Sequence, residues 1–383
     1  MRQFLVSLFV FSSAATAAPS SGQDCEPLQT AQANAPEQQP AFPEQTRACE
    51  TDSGVEIDVA VLASGLEHPW AVEPVPDGTL LVTERPGRMR IVSADGELGE
   101  PLAGTPDVFA EGQAGMLDVA LSPSFDSDRT IFWSYSEPRG ENNGTAVARG
   151  VLDADRNRIE DVKVIFRAKP DYHNDMHYGS RLVFDEDGKL FVTLGERSDL
   201  ETRPQAQQLD SHYGKIVRIN PDGSVPDDNP FVDRENALPE IWTLGHRNIQ
   251  AAAIDNNGKL WEIEHGPRGG DELNLVEKGV NYGWPIVEGR ADDPRFADPQ
   301  VTWAPAEASP SGATVASGSF FVAALRGQRL WQVPLDGNGG VQEPRALFVG
   351  EFGRQRAVAE MPDGALWVLT NESPGRVIRV PVR

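Results

Sequence analysis

A histidine and a glutamate near the middle of the chain have the types and positions of an acid–base pair. His177 lies in DYHNDMHYGSRLVF, directly before a predicted strand, and Glu196 lies in TLGER, where the next strand ends. An imidazole is partly neutral at pH 7 and can take a proton from an alcohol. A carboxylate beside it would orient the ring and stabilise its cation. The alternative is an ordinary loop histidine and a surface ion pair between Glu196 and Arg197.

Several arginines form a second group of candidate residues. Arg247 and Asn248 stand in TLGHRNIQ before another predicted strand, where a guanidinium could bind a carboxylate or polarise a carbonyl. Arg354 and Arg356 are two residues apart, so they share one face of an extended chain and suit a ligand with several carboxylates. Arg326 ends its own strand in VAALRG and could join them. Solvated surface arginines are the alternative.

The segment 264–274 reads EHGPRGGDELN and is either a polar surface loop or a loop that holds an ion. It combines three glycines and a proline with a histidine and three acidic residues. Its glycines do not lie between a strand and a helix as in a dinucleotide-binding turn, and the chain has no Walker A motif. H-E-x-x-H and G-x-S-x-G are also absent, so the zinc and serine-hydrolase motifs are not indicated.

Short strands, rather than helices, must position these residues. Six segments repeat a β-branched or aromatic strand after a turn that usually carries Asp or Gly, and they begin at residues 79, 130, 189, 259, 319 and 365: TLLVTE, TIFWSY, KLFVTL, KLWEIE, SFFVAA and ALWVLT. A period of about 50 residues is typical of propeller blades. We therefore predict an all-β fold over residues 55–383, a six-bladed β-propeller of four-stranded antiparallel blades. The strand 55–62 would pair with the C-terminal strands and close the ring; a pair of β-sandwich sheets is the alternative.

The N-terminal part differs from the rest of the chain. Residues 1–18 have a basic residue, a short apolar run and small residues, as a secretory signal peptide does. Residues 19–54 are rich in Gln, Pro and Ala and predict a low-complexity arm. In an oxidising compartment Cys25 and Cys49 would form a disulfide, with two unpaired thiols as the alternative. These features predict a secreted or periplasmic protein without membrane insertion.

The formal net charge of −24 at pH 7 is strongly acidic. Nucleic acids and anionic membranes are polyanions, so the charge argues against both as partners. An acidic protein that collects arginines in a few segments has a reason to do so there. An anionic ligand held by those arginines is one such reason.

From about Ser64 to its C-terminus the chain resembles the soluble quinoprotein sugar dehydrogenases, including the aldose sugar dehydrogenases. The resemblance implies a six-bladed propeller that uses pyrroloquinoline quinone (PQQ) and calcium to oxidise aldoses to lactones. PQQ carries three carboxylates, which gives the arginines a physical rationale. The segments that carry the resemblance are GLEHPWA, EGQAGMLDVALSPSF, HYGSRLVF, TLGER, YGKIVRINPDGSVPDDNPF, EIWTLGHRNIQ, EHGPRGGDELNLV, NYGWP and GRQRAV.

The same resemblance implies a role for each candidate residue. His177 matches the general base that takes the proton of the sugar C1 hydroxyl while hydride passes to C5 of the quinone. Glu196 matches the acid that assists it, although Asp stands there in the best-known members, and Arg247 matches a residue against the quinone carbonyls. Arg326 stands where some relatives have Lys. The PQQ-binding positions implied are Gln113, Arg247, Asn248, Arg326, Arg354 and Arg356.

The resemblance also implies metal ligands. Gly266 and Pro267 match positions whose backbone carbonyls bind the active-site calcium, and Glu272 and Tyr282 resemble residues near a further calcium site. In this interpretation the proline and glycines of the loop shape its backbone for the metal. The acidic residue that some relatives have at position 176 is Met here, which leaves the preferred sugar open.

The leading hypothesis is thus a PQQ- and calcium-dependent aldose dehydrogenase with a small-molecule sugar substrate and an external electron acceptor, working as a monomer or homodimer. One alternative is a propeller lactonase or hydrolase in which carboxylates hold a metal in the central tunnel. The other is a propeller that binds a partner without catalysis. His177, Arg247 and the pair Arg354 and Arg356 together favour the dehydrogenase.

Overall fold

Strands separated by tight turns make up almost all of the structure. The computed structural model describes residues 59–155, 157–268 and 270–380. This described part contains 23 β-strands, a four-residue helix α1 (Phe125–Asp128) and a 3-10 helix (Arg203–Gln207). None of its helices has the length and apolar character needed to cross a bilayer. The predicted signal peptide, the arm and the disulfide between Cys25 and Cys49 lie outside the described residues.

The strands form six antiparallel sheets, which confirms the predicted six-bladed propeller. Blade 1 contains β2 (Pro69–Pro74), β3 (Leu80–Glu84) and β4 (Arg88–Val92), and blade 2 contains β5 (Met116–Leu121), β6 (Thr130–Arg139), β7 (Asn142–Asp153) and β8 (Arg158–Arg167). Blade 3 contains β9 (Gly179–Phe184), β10 (Leu190–Leu194), β11 (Lys215–Ile219) and β12 (Ile241–Leu244), and blade 4 contains β13 (Ile249–Ile254), β14 (Leu260–Glu264), β15 (Asp271–Val276) and β16 (Val301–Trp303). Blade 5 contains β17 (Pro310–Ala316), β18 (Ser319–Ala324), β19 (Arg329–Pro334) and β20 (Arg345–Leu347), and blade 6 contains β21 (Gln355–Glu360), β22 (Leu366–Thr370), β23 (Gly375–Val380) and β1 (Ala60–Leu66).

Blade 1 has three strands, whereas each of the other blades has four. Its three strands are extended at the outer edge only by a single bridge between Val92 and Leu98. The six repeated segments predicted from the sequence form the second strand of each blade. In β3, β10 and β22 every residue is buried, because both faces of a blade pack against neighbouring blades.

The ring closes by pairing the first strand of the described chain with the last. β1 runs antiparallel to β23, with Leu66 opposite Gly375 and Val61 opposite Ile378. The closing strand therefore continues four residues past the predicted end at residue 62. Ala63, Ser64 and Gly65 are small or polar residues, so the apolar pattern does not continue past Leu62 in the sequence. In the structure Gly65 has φ 98° at an irregularity in the pairing, and the strand goes on to the buried Leu66.

The hydrophobic core lies between the blades rather than in one central cluster. Six clusters of buried apolar side chains each join two neighbouring blades around the ring. The innermost strands β2, β5, β9, β13, β17 and β21 pack side by side around the axis. Because apolar residues fill the layers between blades, the loops at the start of the inner strands are left to carry polar groups.

Candidate active site

A cavity of about 290 Å³ lies at the end of the propeller where the inner strands begin. All six blades contribute to its wall, and no lining residue is acidic although the chain is strongly acidic overall. Because three arginines line it, the cavity is positively charged although the protein as a whole is negatively charged. It is lined by Trp70, Arg85, Gln113, Leu117, Tyr178, Gly179, Gln250, His265, Ser309, Leu325, Arg354, Arg356 and Asn371.

His177 and Glu196 form a buried hydrogen-bonded pair beside this cavity. The His177 Nδ1 atom is 3.0 Å from Glu196 Oε2, and its backbone N–H donates to Gln113 Oε1 at 2.9 Å. Burial lowers the pKa of His177, and the carboxylate of Glu196 only partly opposes this effect. The imidazole is therefore neutral at pH 7, and donation from Nδ1 to Glu196 leaves the lone pair on Nε2.

The surface ion pair considered for Glu196 is not formed. Arg197 is buried and donates instead to Asn143 Oδ1, to the carbonyl of Asn174 and to the carbonyl of Met176. Its guanidinium also stacks over the ring of Tyr178. Arg197 thus ties together the loop that precedes β9, and Glu196 is free to face His177.

Arg247 and Asn248 join the loops of blades 3 and 4. The N–H of Glu196 donates to the Arg247 carbonyl at 3.0 Å, and the N–H of Gly179 donates to Asn248 Oδ1 at 3.1 Å. The Arg247 guanidinium donates through Nη1 to the carbonyl of His265 at 2.9 Å. Burial lowers the pKa of Arg247, with the carboxylates of Glu196 and other acids opposing the shift.

Three polar atoms in this region are buried without a hydrogen-bond partner among the described residues: Glu196 Oε1, Arg247 Nε and Asn248 Nδ2. Buried polar atoms are almost always paired in folded proteins, and an unpaired one costs about 1–3 kcal/mol. A bound ligand with donors and acceptors of its own would satisfy them. The site therefore has the features of a binding site whose ligand completes it.

Arg354 and Arg356 line the wall of the cavity formed by blade 6. Arg356 is buried and donates to Asn371 Oδ1 at 2.9 Å and to Ser311 Oγ at 3.0 Å. No carboxylate of the described residues pairs with it. Burial, reinforced by the charges of Arg85 and Arg354, lowers its pKa to about 9, so it remains cationic at neutral pH. An unbalanced buried cation fits a site that binds an anion.

Arg326 has a different position from the other arginines. Its side chain is exposed, and Leu325, the residue before it, forms the cavity wall at this point. The structure therefore places Arg326 at the edge of the site and not among the groups that line it.

The loop 264–274 folds back on itself next to Arg247. The Gly266 N–H donates to Asp271 Oδ1 at 3.0 Å, and Asp271 Oδ2 accepts the N–H of Ser309 at 2.7 Å. A Cβ atom at Gly266 would lie 1.6 Å from the carbonyl oxygen of Gly270, so only glycine fits. Burial raises the pKa of Asp271 to about 7. The Gly266 carbonyl accepts a hydrogen bond from Arg247 Nη1 at 3.4 Å. The carbonyls of Gly266 and Pro267 are the candidate ligands that the resemblance implies for a hard cation.

Glu272 and Tyr282 do not line the cavity. Glu272 Oε1 accepts the N–H of Gly289 at 2.7 Å, and burial raises its pKa to about 8. The Tyr282 hydroxyl donates to the carbonyl of Leu275 at 2.7 Å, and its ring stacks on His246 with centroids 4.6 Å apart. Both residues belong to a buried polar region of blade 4.

Sequence reasoning missed the centre of that region, a cluster of His246, Glu262 and Glu264. Their candidate ligand atoms lie within 4.8 Å of one another, and all three side chains are buried. Burial lowers the pKa of His246, but bonds to the two carboxylates outweigh it and raise the pKa to about 9. The available signal was the spacing of acids two apart in the strand KLWEIE, which puts both on one face. Such a set could hold a divalent cation.

Glu264 also connects this cluster to the active-site loop. Its Oε2 atom accepts the backbone N–H of Arg247 at 2.5 Å and that of Asn248 at 3.2 Å. The carboxylate thereby sets the position of the turn that precedes β13. A change in the charge of Glu264 would therefore alter the hydrogen bonds that hold the backbone of Arg247 and Asn248.

Arg85 is the second residue that sequence reasoning missed. It directly follows β3 and lines the cavity, and its Nε atom is buried without a partner among the described residues. The residue directly after the second strand lines the cavity in four blades, as Arg85, His265, Leu325 and Asn371. The predicted repeat contained this signal, because it fixed where each second strand ends.

The chain is similar to known proteins in both sequence and fold. A sequence model of the family described as glucose / sorbosone dehydrogenase matches residues 66–379. The aldose sugar dehydrogenase YliI of Escherichia coli strain K12 is 39% identical over 350 residues, which cover 85% of this chain and 93% of that protein.

Two solved structures have the same fold. The soluble aldose sugar dehydrogenase of Escherichia coli in its apo-form superposes with a TM-score of 0.80 at 38% identity, covering 86% of this chain and 100% of the other. The PQQ-bound form of the aldose sugar dehydrogenase of Streptomyces coelicolor superposes with a TM-score of 0.76 at 33% identity, covering 86% and 99%.

Proposed function

Because the chain belongs to the glucose/sorbosone dehydrogenase family of oxidoreductases, we propose that it oxidises aldoses at C1 to lactones with PQQ and calcium bound at the cavity. The family relationship supports a small-molecule sugar as the substrate. The observation that carries the finer proposal is the buried pair of His177 and Glu196, 3.0 Å apart, beside a cavity with arginines and no acidic lining residue.

His177 acts as the general base in this proposal. Its Nε2 lone pair takes the proton of the C1 hydroxyl, while Nδ1–H remains bonded to Glu196. Glu196 keeps the ring in the tautomer that accepts at Nε2 and stabilises the imidazolium that forms. The hydrogen bond from the His177 N–H to Gln113 holds the backbone of the base in place.

The cavity residues fit the cofactor. When bound, PQQ would supply the acceptor for the C1 hydride and calcium would supply a Lewis acid. Arg354 and Arg356 line the cavity and would hold carboxylates of PQQ. Arg247 and Asn248 are bonded to the lining residues His265 and Gly179 without being part of the lining, and their unpaired Nε and Nδ2 atoms would donate to the carbonyl oxygens of PQQ. Arg326, exposed at the edge, would act at longer range.

Two calcium positions are proposed. The carbonyls of Gly266 and Pro267 would hold the active-site ion, since their turn is fixed by Asp271. Glu272 and Tyr282 would belong to a second ion, for which the neighbouring cluster of His246, Glu262 and Glu264 supplies further ligands. Hard oxygen ligands of this kind suit calcium.

We also propose that the protein is exported and that an external compound reoxidises its cofactor. The predicted signal peptide over residues 1–18 supports export to the periplasm or the medium. An external electron acceptor must then reoxidise the cofactor.

Neither a tunnel-metal hydrolase nor a non-catalytic propeller is favoured by an observation of the site, because the side-chain cluster found among the described residues lies outside the cavity lining.

Reconstitution tests the proposal directly. Purified apo-protein is supplied with PQQ and calcium, and dye reduction is measured with a panel of aldoses. We expect turnover that requires both additions. If PQQ does not bind and no aldose reduces the dye, the proposed function is wrong.

His177→Ala tests the role of the base. Loss of a general base lowers the rate by about 10²–10⁴-fold. We expect kcat to fall by this factor in the reconstituted enzyme, because water must replace Nε2 as the base. PQQ affinity should change little, which separates the role of His177 from a role in cofactor binding.

A further inference from the structure

The structure assigns a further arginine to the cofactor pocket: we propose that Arg85 binds a carboxylate of PQQ. This inference rests on the proposed function and adds a residue to it. Arg85 is the residue that follows β3, and its position corresponds to those of His265, Leu325 and Asn371 in blades 4, 5 and 6. All four line the same cavity.

The hydrogen bonds of Arg85 leave part of its guanidinium without a partner. Its Nη1 atom donates to the carbonyl of Gly112 at 2.5 Å, which holds one side of the group. Its Nε atom is buried and has no partner among the described residues. The guanidinium is thus oriented by the protein and retains a buried donor for a ligand.

The charges around Arg85 favour an anionic ligand. No ion pair to a carboxylate is formed by Arg85, Arg354 or Arg356 among the described residues, and none of the lining residues is acidic. Arg85 and Arg354 are close enough to Arg356 to lower its pKa. Three cations that repel one another in one cavity are stabilised by a ligand that carries several negative charges.

The stoichiometry agrees with PQQ. Arg85, Arg354 and Arg356 are the three cavity-lining arginines, and PQQ carries three carboxylates. Arg85 stands in blade 1, between the cavity wall of blade 6 and Gln113 before blade 2. It therefore extends the anion-binding wall from Arg354 and Arg356 toward the side of the cavity that holds Gln113.

Titration calorimetry without any sugar measures PQQ binding by the calcium-loaded apo-protein and by its variants. A charge-assisted hydrogen bond contributes about 1.5–3 kcal/mol, so Arg85→Gln should weaken PQQ binding by about 10–150-fold. Arg85→Lys should recover part of the loss. The matched control is Arg345→Gln, which removes the same charge from the exposed outer strand β20 and should bind PQQ as the unsubstituted protein does.

A second ligand separates contact with a carboxylate from an indirect effect. Arg85 also holds the Gly112 carbonyl, so its loss could displace Gln113. The trimethyl ester of PQQ has the ring system without the three charges. If Arg85 contacts a carboxylate, Arg85→Gln weakens PQQ binding but leaves the weaker ester binding almost unchanged.

The outcomes distinguish the inference from the proposed function. Equal PQQ affinity of Arg85→Gln and the unsubstituted protein overturns the inference and leaves the function intact. An equal loss for PQQ and its ester also overturns it and indicates a positioning residue. Failure of the unsubstituted protein to bind PQQ overturns both. Melting temperatures verify folding, and if Arg85→Gln does not fold, the same comparison of the two ligands is made with Arg85→Lys.

Discussion

At the scale of single residues, burial and one hydrogen bond give His177 the properties of a base. Burial disfavours the imidazolium, and Glu196 favours it, so the two effects act in opposite directions on the same pKa. Burial is the larger effect, and the ring is neutral at pH 7. The carboxylate then matters most when the ring becomes charged during the reaction.

Replacing Glu196 by Gln should change both the rate and its pH dependence. Without the carboxylate the pKa of His177 falls further, because burial is no longer opposed. The acidic limb of the kcat/KM profile, which marks protonation of the base, should therefore move to lower pH. The plateau rate should fall by about 10-fold or more as the imidazolium loses its partner.

The measurement is a pH–rate profile of the reconstituted Glu196→Gln enzyme with a fast aldose. Glu186→Gln is a suitable control, because Glu186 is exposed in the turn between β9 and β10 at the other end of the blade. An acidic limb that moves to higher pH would contradict the assignment of Glu196.

At the scale of elements, the end of the second strand decides which residue faces the cavity in four of the six blades. A strand end is set by hydrophobic alternation and by the following turn, and neither depends on the ligand. The residue after it lines the cavity in blades 1, 4, 5 and 6. This explains how Arg85, His265 and Asn371, which have unrelated chemistry, reach one cavity.

The shape of the loop 264–274 depends on the close contact between Gly266 and the carbonyl of Gly270. Gly266→Ala would bring a Cβ atom to 1.6 Å from the Gly270 carbonyl oxygen, so the turn must open. We expect the carbonyls of Gly266 and Pro267 to move and calcium affinity to fall at least 10-fold, or about 1.4 kcal/mol. The measurement is the rise in melting temperature on adding calcium to apo-protein.

Gly318→Ala is the matched control for that experiment. Gly318 lies in the turn between β17 and β18 and has φ 71°, and a Cβ atom added there would meet no other atom within 4 Å. Alanine there costs about 1 kcal/mol of stability through its backbone conformation. Its calcium-dependent stabilisation should equal that of the unsubstituted protein, and a loss there too would point to a general effect.

At the scale of the whole molecule, stability depends on closing the ring. The core consists of layers between blades, so opening one junction exposes two blade faces. β1 joins the two ends of the described chain in blade 6. Its apolar contacts therefore stabilise the complete propeller and not only one sheet.

Leu66→Ala tests whether the apolar contacts of β1 stabilise the whole propeller. Leu66 is fully buried between blades 6 and 1, and replacing such a leucine by alanine costs about 2–5 kcal/mol. Val61→Ala in the same strand is the control, because Val61 is 53% exposed and should cost less than about 0.5 kcal/mol. Denaturant unfolding measures both, and equal effects would show that β1 contributes only its own local contacts.

The sequence by itself determined the repeating pattern of the molecule. Strand alternation and turns with Asp and Gly are local features, and they located the second strand of all six blades. The motifs around His177, Arg247 and Arg354 indicated the family, because each is a short run of neighbouring residues. The charge of −24 had already made a local collection of arginines noteworthy.

Only the tertiary structure decided which of these residues meet. His177 and Glu196 face one another because β9 and β10 pair in one register, and Arg85 shares a cavity with Arg356 because blades 1 and 6 adjoin in the closed ring. The cluster of His246, Glu262 and Glu264 likewise appears only when β14 packs against the turn before β13. Local patterns specify strands, whereas contacts between blades depend on ring closure and on side chains far apart in the chain.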